Sequence, residues 1–265
     1  TWAGNVGSTG LSAVDYLIAD YRHVPEGSER YYTEKVIRLP DGNVSYEPPD
    51  YAPEVGPLPF EQNGFITFGS FNNAAKINAN VLTAWAEILK AVPDAQLILK
   101  YKNMDAEGNC NRILDQFGIH GVEGSRLILE GKSPHSDFLS RYNDIDIALD
   151  PFPYSGGLTT CEAIWMGVPV ITKPGKTFAS RTSLSHLTNV DAPELVAEEL
   201  PDYVAKAVEL ANDISRLTDL RSRLRGQMAK SALCDGKKFA SDFTSAMRHV
   251  WEQWCSEAKP DERLY

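Results

Sequence analysis

The stretch DIDIALDPFPYSGGLTTCEAIWMGVPVIT, residues 144–172, leaves few options for folding. Ile145, Ile147 and Leu149 form a short apolar run suited to a parallel strand buried on both faces. Pro151, Pro153, Ser155, Gly156 and Gly157 break that run, and a helical pattern starts at Thr159 with Ala163, Ile164 and Gly167 along it. Val168, Val170 and Ile171 read as the next strand, with Pro169 tolerable near its start. Glycines and hydroxyls at a helix N-terminus, beyond the carboxyl end of a strand, suit an anion. Free amides point outward there, and the helix dipole favours negative charge by roughly 0.3–1 kcal/mol. Glu162, about one turn in, can accept hydrogen bonds from a ribose diol. The stretch therefore reads as a cradle for a nucleotide diphosphate. The plainer alternative is an ordinary Gly-Gly turn of an α/β protein, since neither GxGxxG nor GxxxxGK[ST] is present.

The same alternation extends upstream. FITFGS is a strand, and Val81, Leu82, Trp85, Ile88, Leu89 and Val92 give an amphipathic helix that stops at Pro93. QLILKY and RLILEG are strands, CNRILDQFGI is a helix, and Ser136–Tyr142 is a short helix. Alternating strands and helices predict a parallel, doubly wound sheet with right-handed crossovers, whose ligands sit outside the carboxyl ends of the strands. Asn73, Gly131 to His135 and Gly156 to Thr160 fall at those ends. Residues 1–24 hold a glycine-rich turn and a short apolar element. Residues 25–63 are rich in Pro, Gly, Glu and Tyr, with EKVIRL as a strand. Beyond residue 180 the pattern is helical, at 201–210, at 214–224 and in a final helix striped by Phe239, Phe243, Met247, Val250, Trp251 and Trp254, which reads as core packing.

Composition narrows the function. With a formal charge of −10 over 265 residues, a nucleic-acid or anionic-membrane partner is not expected. No apolar run reaches membrane-spanning length, and no secretory leader opens a sequence that begins mid-pattern, as part of a longer protein would. Cys110, Cys161, Cys234 and Cys255 are widely spaced without CxxC, and the five histidines form no HExxH. A reduced, cytoplasmic protein without structural metal is expected, with Cys161 as a small buried hydrophobe.

The run LDPFPYSGGLTTCEAIWMGVPVIT resembles the nucleotide-sugar segment of the O-GlcNAc transferase (SPINDLY-like) catalytic family, glycosyltransferase family 41. TWAGNVGSTGLSAVDYLIAD, YYTEKVIRLPDG, GFITFGSFNNAAKINANVLTAWAEILKAVPDAQLILK, GKTFASRTSLSHL and FASDFTSAMRHVWEQW continue the resemblance in the same order. It implies a GT-B fold: residues 1–63 end the N-terminal catalytic lobe and connect onward, residues 64–235 form a Rossmann-like nucleotide-sugar lobe, and residues 236–265 form a helix packing back on the first lobe. It also implies inverting transfer of N-acetylglucosamine from UDP-GlcNAc to Ser or Thr of a protein acceptor, without an obligate metal. Acceptor groups would lie on the upstream lobe and upstream tetratricopeptide repeats. The rivals are a protein O-fucosyltransferase using GDP-fucose and a nucleotide-sugar-binding module without catalysis.

The resemblance also implies roles. Lys76 takes the position of a lysine that contacts the leaving diphosphate, where charge develops as the glycosyl bond breaks; by spacing alone it is a solvated lysine. Asn73 takes the neighbouring amide position. Ser133, Pro134 and His135 fall where the family contacts the base, with His135 in place of a Lys. Phe138 replaces a stacking His, and Arg141 matches a basic position near the phosphates. Gly156, Gly157, Leu158, Thr159 and Thr160 form the cradle, Leu158 being a departure that removes a hydroxyl, and Glu162 takes the ribose position. Arg181 is expected to pin a loop by an ion pair. No residue is marked as the base, Asp15 and His23 included.

Overall fold

The structure, a computed structural model, describes residues 1–4 and 6–257. The last eight residues of the segment 236–265 lie outside the described residues. In chain order the elements are β1 (Tyr16–Asp20), β2 (Lys35–Leu39), α1 (Pro59–Asn63), β3 (Thr67–Ser70), α2 (Ala79–Ala91), β4 (Gln96–Lys100), α3 (Glu107–Ile119) and β5 (Leu127–Glu130). There follow α4 (His135–Ser140), β6 (Ile147–Leu149), α5 (Leu158–Trp165), β7 (Val170–Ile171), α6 (Thr182–Asn189), α7 (Leu200–Ala211), α8 (Ile214–Lys230) and α9 (Gly236–Glu257).

The apolar runs β3 to β7 form a five-stranded parallel sheet ordered β5-β4-β3-β6-β7. Counted within this sheet the order is 3-2-1-4-5, so the winding reverses between β3 and β6 and a crevice opens at their carboxyl ends. Helices supply the covering layers because their apolar faces repeat at helical spacing. In α2 the side chain of Asn78 caps the amide of Val81, and Val81, Leu82, Trp85, Ile88 and Leu89 are buried. Each contributes roughly 1.5–3 kcal/mol by leaving water. Trp85 donates its indole N–H to the Tyr203 hydroxyl (2.9 Å), which donates to the Asp150 carbonyl (3.0 Å). Helices α2 and α7 are thereby fastened to the loop that leaves β6.

Strands β1 and β2 pair in parallel as a separate two-stranded sheet, with a small core of Leu17, Ala19, Val24 and Phe178. The final helix departs from expectation. Its first turns meet the N-terminal segment, where Trp2 lies against Phe239 and Phe243 with ring centroids 5.9 and 4.7 Å apart. Farther along, Trp251 and Trp254 stack on each other and remain 62% and 46% exposed. That half of the stripe is therefore not core packing among the described residues. Helical periodicity reports which face is apolar, and nothing about what covers it.

Candidate functional site

Loops leaving the carboxyl ends of β3, β4, β5 and β6 surround a cleft of about 700 Å³, within the range of small-ligand sites. After β3 come Asn72, Asn73 and Lys76; after β4, Tyr101 and Lys102; after β5, the run from Gly131 to His135, and Phe138. The loop after β6 and the start of α5 add Tyr154 to Thr159 and Glu162, and α6 adds Thr182. Chain reversal at the switch point brings together side chains from four loops. Lys76, Lys102 and Lys132 face this cleft in a chain that is acidic overall, so the local field favours an anion.

The loop from Asp150 to Thr160 shapes the anion end. The Gly156 amide donates to Asp150 Oδ1 at 2.6 Å, and Asp150 also accepts from the Thr172 hydroxyl at 2.6 Å. Burial raises the Asp150 carboxyl above its ordinary value, against those hydrogen bonds. The Thr160 hydroxyl turns inward to Ser183 (2.9 Å) and is buried. The expected five-residue cradle therefore contracts: Gly156 and Thr160 support it, while the amides of Gly157, Leu158 and Thr159 take no acceptor among the described residues. Those three sit at the first turn of α5, where helix geometry leaves N–H groups unpaired. Helix α6 braces the loop from behind, its Thr182 amide donating to Ser155 Oγ (3.2 Å) and its Ser183 hydroxyl to the Gly156 carbonyl (3.2 Å).

Lys76 lies on a single 3-10 turn, Ala74–Lys76, capped by the Asn73 side chain at the Ala75 amide. Its Nζ donates to the Ser155 carbonyl at 2.8 Å and stands 4.1 Å from the centre of the Tyr154 ring. Burial lowers its pKa, and the charge of Asp150 opposes that shift. Across the cleft, His135 Nε2 and Glu162 Oε1 are 2.8 Å apart, and the Tyr51 hydroxyl is 2.9 Å from His135 Nδ1. Burial pushes the Glu162 carboxyl up, and the His135 hydrogen bond and charge pull it down. One carboxylate oxygen is engaged, and Oε2 keeps capacity for a further donor. Phe138 packs beside Phe71 and presents its ring near His135, centroids 6.2 Å apart. The Ser133 hydroxyl is buried without a protein partner, and Leu158 is 63% exposed.

Of the residues predicted from sequence, Lys76, Asn73, Ser133, Pro134, His135, Phe138, Gly156, Gly157, Leu158, Thr159 and Glu162 line this one cleft. Arg141 does not. Glu130 accepts from its Nε and Nη2 (3.0 and 2.6 Å) and Asp144 from its Nη1 (2.8 Å), so two carboxylates claim the guanidinium. Arg181 pins its loop through the carbonyls of Gly175 and Arg22 instead of an ion pair. Cys161 is buried, and burial lifts its thiol far above the ordinary range, as befits packing. Sequence reasoning missed Asn72, whose Oδ1 accepts from the Thr159 hydroxyl at 3.3 Å, and Tyr154, Ser155 and Thr182. Asn72 stood in the quoted Phe-Asn-Asn run, and Tyr154 and Ser155 adjoin the glycine pair. Thr182 stood in the GKTFASRTSLSHL run beside Arg181, but on a helix remote in sequence from the glycine pair, so nothing in its spacing tied it to the cleft. Among the described residues no group of three or more His, Cys, Asp or Glu is placed to hold a metal ion.

Comparison with known proteins adds to this geometry. The family model described as glycosyl transferase family 41 matches residues 59–243. A rice protein named probable UDP-N-acetylglucosamine–peptide N-acetylglucosaminyltransferase SPINDLY is 41% identical over 98% of this chain and 28% of its own length. The Caenorhabditis elegans UDP-N-acetylglucosamine–peptide N-acetylglucosaminyltransferase is 28% identical over 71% of this chain and 16% of its own. Among solved structures, a mutant O-GlcNAc transferase of Thermobaculum terrenum has a TM-score of 0.90 at 35% identity, covering 98% of this chain and 49% of that one. Sucrose-phosphate synthase from Thermosynechococcus elongatus, with a TM-score of 0.60, 15% identity and 90% and 59% of the two chains covered, shares the fold alone. The chain thus spans 28% of the length of the rice relative.

Proposed function

This chain belongs to glycosyl transferase family 41, with the α/β architecture of GT-B enzymes, and we propose that its cleft holds the nucleotide diphosphate of UDP-GlcNAc. In this reading the chain is the donor-binding portion of an inverting transferase that glycosylates Ser or Thr of proteins. One observation carries it: Lys76 Nζ, fixed at 2.8 Å from the Ser155 carbonyl, shares a cleft with the unpaired amides of Gly157, Leu158 and Thr159. When the bond from the sugar to the diphosphate breaks, its electron pair passes to a phosphate oxygen. The acceptor oxygen takes the sugar and gives up its proton. Lys76 and the α5 amides stabilise the charge left on the diphosphate, with no metal assigned. Glu162 Oε2 accepts from the ribose, and the Phe138 ring supports the base. No residue of this chain is assigned as the base for the acceptor proton.

The upstream lobe and tetratricopeptide repeats complete the reading as parts of the longer protein. A cytoplasmic setting belongs to the same reading, in keeping with Cys110, Cys161 and Cys234, which carry thiols and not disulfides. Calorimetric titration of this chain with UDP and GDP tests the donor. UDP binds the more tightly, and Lys76→Met weakens it about tenfold or more through loss of a charge-assisted contact, with little change in melting temperature. Preference for GDP supports the GDP-fucose reading instead. Binding of neither nucleotide, or equal UDP affinity for the Met variant, sinks the assignment.

A further inference from the structure

We propose that Tyr154 is a positioning residue for Lys76, holding the ammonium beside the α5 amides with a ring face in place of a carboxylate. The inference rests on the donor reading above and deepens it. Two neutral groups touch Lys76 Nζ: the Ser155 carbonyl at 2.8 Å and the Tyr154 ring, its centre 4.1 Å away. Both belong to the loop after β6, across the switch-point crevice from the 3-10 turn that carries the lysine. Asp150, the carboxylate whose charge Lys76 feels, already accepts from the Gly156 amide and the Thr172 hydroxyl.

The choice of partner has a physical consequence. A carboxylate in contact with Lys76 would cancel its charge and repel an incoming diphosphate. An aromatic face attracts the cation through its quadrupole and adds no net negative charge. The lysine is thus steadied while its positive charge stays available to an anion. Tyr154 is suited to this by its neighbour. Ser155 is buried, and both its amide and its hydroxyl donate to the Ala179 carbonyl at 3.0 Å, so the backbone next to Tyr154 is anchored. Tyr154 itself is 42% exposed, so its ring is not there to fill the core. The other ionisable groups lining the cleft are Lys102, Lys132, His135 and Glu162, with Tyr101.

The test uses Tyr154→Leu and Tyr154→Phe in the full chain, with two readouts. The pH titration of Lys76 is followed by the NMR signal of its ε-carbon, and UDP affinity is measured by calorimetry. Loss of the ring removes a stabiliser of the charged form, so Tyr154→Leu moves the Lys76 midpoint about half a unit to lower pH and weakens UDP about threefold. Tyr154→Phe, which keeps the ring, recovers both values. An unmoved Lys76 midpoint in the Leu variant, or a Phe variant as impaired as Leu, overturns the assignment. A shifted midpoint with unchanged UDP affinity removes the positioning role. Absence of UDP binding in every chain, the unsubstituted one included, overturns the donor reading and the role with it, and the Lys76 titration tells that failure apart from the others.

Discussion

At Gly156 the cradle has no room for a side chain. A Cβ there would overlap the Thr160 hydroxyl and stand 3.0 Å from Asp150 Oδ1 and 3.3 Å from Thr159 Oγ1. These are the atoms that set the loop, through the Asp150 bond to the Gly156 amide and the Thr160 bond to Ser183. Next to it, a Cβ on Gly157 would meet only Thr182 Cγ2, at an ordinary 3.8 Å. The two glycines read alike in the sequence and differ in consequence. Gly156→Ala is expected to cost about 1–3 kcal/mol of stability through overpacking and to weaken UDP binding at least tenfold, whereas Gly157→Ala meets no such overlap and lowers the melting temperature less. Calorimetric melting and UDP titration of both variants check this; equal melting temperatures would remove the distinction.

Helix α8 illustrates the element scale. Its sequence is rich in Arg and Leu. In the fold Arg221 is 4% exposed and reaches out of its helix to the Gly56 and Ile145 carbonyls, each at 2.8 Å. Arg225 reaches the Pro53 and Trp165 carbonyls, both at 2.6 Å. These side chains strap the connecting segment, the entry to β6 and the end of α5 onto one helix. Carbonyl acceptors lie in segments distant along the chain, so no local pattern could reveal them. Arg221→Met leaves two inward carbonyls without donors and is expected to destabilise the protein by about 2–4 kcal/mol. Denaturant unfolding measures the loss, and a change below about 1 kcal/mol would show the strap to be dispensable.

For the whole molecule, two contributions to pH-dependent stability arise where the β1 segment meets α6. His186 is fully buried there, and burial, with His23 nearby, drops its pKa to about 4. The unfolded chain therefore holds the extra proton between pH 4 and 6.5, so this group's contribution is full above pH 6.5. It declines as pH falls toward 4, by about 3 kcal/mol in all. Asp20 is pushed up by burial but drawn down further by the His23 hydrogen bond and charge, to about 2. Its contribution is lost at still lower pH, between 3.8 and 2. Burial raises Asp146, Asp150 and Glu162, which act in the opposite sense, so the test is a difference. His186→Gln should flatten the slope of stability against pH between 6.5 and 4, measured by urea unfolding at several pH values; parallel slopes would refute the assignment.

The sequence by itself determined the alternation of strands and helices, the parallel sheet and the loops at its carboxyl ends, because apolar periodicity and proline and glycine breaks are local properties of the chain. Most of the residues lining the cleft were picked out by resemblance to the family's motifs, since by spacing alone Lys76 reads as a solvated lysine and His135 and Phe138 carry no local mark of a site. Only the tertiary structure decided which of these groups remain available. Arg141 is claimed by Glu130 and Asp144, Thr160 by Ser183 and the Gly156 amide by Asp150, while Lys76 meets an aromatic ring. The apolar face of α9 follows the same division: its spacing is written in the sequence, whereas its burial is not. Partners are chosen by distance in space, and a side chain's charge or hydrogen bond is free for function only after the fold has spent the rest.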